Sequence, residues 1–231
     1  MASPVLSKPA AVEHRPLASP WHTVFIVVVQ ASLSYRAMMH ASEMQNGSVD
    51  RIQIYTRTIF FEWLMFGLVI LGVYLHGASI LTVVGDRWRS LGHALQHLGI
   101  GVLFLIATVT FTSILGEHAH GDSTQYLMPQ GHTERWMWIV LSISAGFCEE
   151  ALFRGYLQRQ FIALTKNVPA GIVLSAAAFG AAHAYQGSRQ AIQIGVLGLM
   201  GGVLAHLCKN VRPGMIAHAL QDTMAIFVPH S

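Results

Sequence analysis

Three short segments bring ionisable side chains into surroundings that are otherwise apolar. Residues 146–159 read GFCEEALFRGYLQR and hold Glu149, Glu150 and Arg154. Residues 176–187 read AAAFGAAHAYQG and hold Phe179 and His183, and residues 212–223 read RPGMIAHALQDT and hold His218 and Asp222. Carboxylates and imidazoles give and take protons, so such a set suits general acid–base chemistry. Hydrolysis of an amide, for example, needs a base, a positioned water and donors aimed at the developing oxyanion. On a helix, Glu150 and Arg154 share a face and can pair, whereas Glu149 points about 100° away and is left for another partner. Phe179 with His183, and His218 with Asp222, are likewise one turn apart; the second pair follows Pro213, a residue suited to a first helical turn.

The elements that must position these groups are membrane helices. Of the 231 residues, 53% are hydrophobic and 11% are Asp, Glu, Lys or Arg, against roughly 25% charged in an average soluble domain. With a mean hydropathy of +0.47, the chain has too few polar residues to cover a water-exposed globule, which excludes an ordinary soluble domain. Apolar stretches at about 21–39, 59–76, 95–115, 136–158, 168–185, 190–208 and 213–228 approach the roughly 20 residues that cross a bilayer core. The expected fold is therefore all-α: a polytopic membrane bundle of about seven helices, with the charged segments on the last four. Period-two strands are absent from the sequence, which disfavours a β-barrel. The small residues of GVLGLMGGVLAH in the sixth stretch predict close helix packing. Residues 1–20, with Pro4, Pro9, Pro16 and Pro20, read as a flexible tail, and 21–231 as one membrane domain.

The remaining polar residues are read mainly as topology and surface signals. The 14 Lys and Arg are scattered, which argues against a nucleic-acid partner. Counted over alternate loops, Lys8, Arg15, Arg87, Arg89, Arg159, Lys166, Lys209 and Arg212 fall on one side; Arg51, Arg135 and Arg189 fall on the other. By the positive-inside rule the N-terminus is then cytoplasmic. Residues 86–97 read either as an interfacial helix, with Trp88, Leu91 and Leu95 on one face, or as the start of the third span. His118, His120 and His132 lie in the longest polar loop and read as solvated rather than metal-binding. Glu62 and His206, near span ends, read as interfacial or locally paired groups.

A charge inside a span costs at least about 2.5–3.5 kcal/mol on insertion scales, so the clustered groups need a reason to be there. One reason is structural, with the groups acting as salt-bridged packing in a transporter, scaffold or immunity protein. A zinc site using Glu149, His183, His218 and Asp222 is another, although no His-Glu-x-x-His segment is present and the ligands would come from separate helices. A thiol peptidase using Cys148 and His183 is a third, against which Cys148 reads as a small packing residue.

The ordered set Glu-Glu-x-x-x-Arg at 149–154, Phe-x-x-x-His at 179–183 and His-x-x-x-Asp at 218–222 resembles the CPBP family of intramembrane glutamic endopeptidases. That family includes the CAAX prenyl protease 2 type and relatives in bacteriocin processing and immunity. The resemblance covers about 135–228 and implies a peptidase that uses no metal and no cofactor. It implies cleavage within the bilayer, near the C-terminus of a membrane-associated protein or peptide. Glu149 would activate water with His183 assisting, Glu150 and Arg154 would form a supporting pair, and Phe179 would pack against the site. His218 and Asp222 would stand on the oxyanion side. Asn is common in the family at that last position, so Asp222 is a departure: an ionised Asp222 repels an oxyanion, which leaves it either to donate when protonated or, the better fit, to orient His218 as an acceptor. The implied location is a bacterial inner membrane.

Overall fold

In the computed structural model the described residues are 15–46, 50–114 and 122–227. They form helices α1 (Pro20–Asn46), α2 (Arg51–Leu75), α3 (Leu81–Val84), α4 (Leu91–Ile114), α5 (His132–Glu150), α6 (Gln158–Thr165), α7 (Val168–Ala182), α8 (Ser188–Cys208) and α9 (Arg212–Met224). Short 3-10 turns lie at Asp122–Leu127, Ala184–Gln186 and Ala225–Phe227, and no strand occurs among the described residues. The fold is the all-α membrane bundle expected.

Helix ends follow local chemistry. The Asp50 carboxylate accepts from Gln53 N at 3.0 Å to cap α2, and the Asn167 side chain accepts from Ala170 N at 2.9 Å to cap α7. Lys166 and Lys209 take left-handed conformations that end α6 and α8. Five segments are long and apolar enough to cross a membrane: Pro20–Ala41, Arg51–Leu75, Leu91–Ile114, His132–Thr165 and Ser188–Cys208. The other two expected spans correspond to α7 and α9, of 15 and 13 residues. The outward surface is apolar, with Leu75, Leu91, Leu103, Ile192 and Leu207 all largely exposed, as lipid-facing side chains are.

Residues 86–97 divide at Leu91, where α4 begins; Trp88 precedes the helix and its indole Nε1 donates to His97 Nδ1 at 3.1 Å. Residues 1–14 of the expected tail, and His118 and His120, lie outside the described residues. Just after that point Ala18 is buried, and its carbonyl accepts from the buried Gln160 side chain at 3.0 Å.

Between α5 and α6 the helix continues but widens into a π-turn at Ala151–Leu157, buried throughout. Two contacts hold the wider turn. Phe153 O accepts from both Gln158 N and Ser175 Oγ, the latter at 2.6 Å, and Gly155 lies against the Val83 backbone with no room for a Cβ. Wide turns of this kind tend to mark functional sites. The π-turn packs on α1, α2 and α3 through Ile26, Val69, Val73, Val83, Phe153 and Tyr156. α9 packs against α4, α5 and α8, and α7 against α8.

Candidate active site

Glu149 and Glu150 are the last two residues of α5, and Arg154 lies in the π-turn that follows. Arg154 Nη1 is 2.9 Å from Glu150 Oε1, both side chains almost wholly buried, and Nη2 donates to Gly198 O on α8 at 3.4 Å. The Phe179 ring lies over this pair, with the guanidinium carbon 4.2 Å from its centroid. Phe179 also meets His183 and His218 edge-on, at centroid separations of 4.8 and 6.1 Å.

The two histidines approach from different helices. His183 closes α7, and its Nδ1 donates to Phe179 O at 2.8 Å, because a carbonyl can only accept. That bond leaves Nε2 turned to Glu149, 3.9 Å from Oε2. On α9, His218 Nε2 is 3.8 Å from the same Glu149 oxygen and 3.4 Å from Asp222 Oδ2, while Nδ1 is 3.4 Å from Glu150 Oε1. Close backbone packing sets this spacing: a Cβ on Gly146 would stand 2.7 Å from Ala219 N and 2.9 Å from Met215 O. The small residue lets α9 come near enough for His218 to reach α5. The structure therefore brings all the predicted groups together: Glu149, Glu150, Arg154, Phe179, His183, His218 and Asp222 line one cavity of about 250 Å³. Glu149 Oε2 is buried and has no hydrogen-bond partner among the described residues.

Residues 131–224 match a family model described as Rce1-like, type II CAAX prenyl endopeptidase. The match covers 94 of the 231 residues and supports a CAAX protease-like family for this segment. No curated protein and no solved structure matches the chain. That family is a protease family, and the matched segment holds every candidate residue named above; this supports a hydrolase, and the apolar helices support an integral membrane protein.

Glu62 of α2 is an addition to the expected cluster. Read from sequence as an interfacial or locally paired group, it lines the same cavity, and Ser144 Oγ donates to its Oε2 at 2.6 Å. The signal was the one that singled out Glu149, a carboxylate within an apolar stretch. Tyr185, Gln190, Gln193 and Gln221 also line the cavity, although nothing in their spacing set them apart beforehand. Trp138 steadies the end of α9 by donating from Nε1 to Asp222 O at 2.9 Å. Among the described residues, no three His, Cys, Asp or Glu side chains converge as metal ligands.

Proposed function

We propose that the protein is an intramembrane endopeptidase of the glutamic type, with Glu149 as general base. The observation that carries this reading is the position of Glu149 Oε2, unpaired and set between the Nε2 atoms of His183 and His218 at 3.9 and 3.8 Å. These separations exceed a direct hydrogen bond and suit a water shared between the groups. With its Nδ1 proton committed to Phe179 O, neutral His183 offers a lone pair at Nε2, so the water donates one hydrogen there and the other to Glu149.

As Glu149 takes that proton, the water oxygen attacks the substrate carbonyl carbon and the carbonyl oxygen gains charge. His218 Nε2 donates to it, the role that residue needs in the transition state. Glu150 accepts from Nδ1 and fixes the ring, and the Nε2–H that faces Asp222 at rest passes to the oxyanion as charge develops there. When the carbon–nitrogen bond breaks, Glu149 returns its proton to the leaving amine. Arg154 keeps Glu150 paired and in place throughout.

The substrate in this reading is a membrane-associated protein or peptide cut near its C-terminus, in a bacterial inner membrane with the N-terminus cytoplasmic. Supporting the loop assignment behind that orientation, Arg212 lies over Trp88, 4.8 Å from the ring centroid, and donates to Gly85 O, beside the segment that carries Arg87 and Arg89. The test compares newly formed peptide termini in membranes carrying wild type or Glu149→Gln. Termini present only with wild type support the assignment, and identical sets from both overturn it.

A further inference from the structure

Beyond the charged cluster, the cavity wall carries carboxamides: Gln190 and Gln193 on α8 and Gln221 on α9. Resting on the peptidase reading above, we propose that Gln190 and Gln193 form a subsite that binds the substrate as an extended peptide through its backbone, with little regard to its side chains.

Depth places them at the chemistry. Gly180, one turn before His183, packs directly on the α8 backbone; a Cβ there would stand 2.6 Å from Ala191 O and 3.1 Å from Gly195 Cα. This contact brackets Gln193 and sets both glutamines at the level of His183. Gln190, Gln193, Ile194, Leu197 and Gly201 all line the cavity, and their spacing puts them on one face of α8. At about 1.5 Å per residue the stripe is roughly 16 Å long. That is the length of about five residues of extended chain. Its far end is Gly201, where the missing side chain leaves Arg154 its place.

The chemistry of the stripe fits a backbone. A peptide bond presented for cleavage lies in an extended segment whose N–H and C=O groups have lost their helical partners, and in apolar surroundings each needs another. A carboxamide supplies both a donor and an acceptor without adding charge. Neither Gln190 nor Gln193 has a hydrogen-bond partner among the described residues, so both are available to a ligand. Between them and Gly201 the wall is aliphatic, at Ile194 and Leu197, and offers apolar substrate side chains contact without a charged selector.

The test uses the full-length protein in phosphatidylcholine liposomes. The probe is a fluorescence-quenched peptide spanning a cleavage site found in the terminus comparison, together with analogues in which single backbone amides near the scissile bond are replaced by esters. Gln190→Leu and Gln193→Leu are each expected to raise KM about tenfold with kcat within twofold. At least one ester is expected to raise KM similarly in wild type and to add nothing further in the matching variant. Exchanging apolar side chains on the peptide should change kcat/KM less than threefold. Folded variants with unchanged KM, or ester effects that add in full to those of the variants, would overturn the subsite. If a leucine variant fails to fold, Gln→Met at the same position carries the same expectation. Cleavage surviving in Glu149→Gln would instead overturn the peptidase reading, so the two failures are distinguishable.

Discussion

Glu150 of α5 and His218 of α9 meet through Oε1 and Nδ1 at 3.4 Å, and the same carboxylate oxygen holds Arg154 at 2.9 Å. One buried oxygen thus links the helix that ends at Glu149 to the helix that carries the second histidine. Arg154 neutralises Glu150, while His218 is fixed by it.

Removing one member of a buried ion pair strands the other, at a cost of about 3–5 kcal/mol. Glu150→Ala should therefore lower thermal stability markedly in detergent, leaving Arg154 buried without its carboxylate. The double variant Glu150→Leu, Arg154→Leu should recover much of that stability and no activity. Unfolding curves and cleavage assays on the same preparations check both; a Glu150→Ala protein as stable as wild type would contradict the pairing.

The α5–α9 approach yields a second expectation. Gly146→Ala brings a Cβ against the α9 backbone at Ala219 and Met215, so the helices must separate. Overpacking of this kind costs about 1–3 kcal/mol. Displacement of His218 on the ångström scale should lower cleavage roughly hundredfold. Gly67→Ala is the control, since a Cβ there meets nothing within 4 Å. It should leave cleavage unchanged, and equal losses in both variants would remove the geometric explanation.

The same motif spacings that predicted a shared site also predicted which groups meet in it. Glu150 with Arg154, Phe179 with His183 and His218 with Asp222 are local relationships that helical periodicity dictates. Their convergence was legible from solvent, because an intramembrane charge needs partners. Less visible was what depends on packing between distant segments. Glu62 looked interfacial because sequence position does not reveal that Ser144 stands opposite it. The π-turn at Ala151–Leu157 depends on Gly155 meeting Val83 and on Ser175 reaching Phe153 O, neither of which a helical pattern encodes. The apolar stretches located α7 and α9 but not their brevity, since hydropathy measures what a segment avoids rather than how far its helix runs.

For His183, the Nδ1 bond to Phe179 O fixes the ring and directs Nε2 to Glu149. Substituting Gln removes the imidazole Nε2 that orients the water while retaining a polar side chain. General acid–base groups contribute typically about 10²–10⁴-fold, so kcat for His183→Gln should fall within that range with the melting temperature nearly unchanged. Retention of more than half the wild-type kcat would place His183 outside the reaction.

Cleavage should also withstand chelators. Glu149, His183, His218 and Asp222 are spaced for hydrogen bonding through water and to one another rather than as a three-ligand metal set. Dialysis against EDTA or 1,10-phenanthroline is expected to leave the rate unchanged, and loss restored by added zinc would reverse this assignment.

Glu149 bears the central claim. Its Oε2 has no hydrogen-bond partner among the described residues, so replacing the carboxylate with an amide of the same shape should disturb packing little. The most direct measurement is the single-turnover cleavage rate of purified Glu149→Gln in liposomes beside wild type, with melting temperatures recorded on both. A fall of at least about hundredfold at an unchanged melting temperature is the predicted result; a rate within threefold of wild type would contradict it.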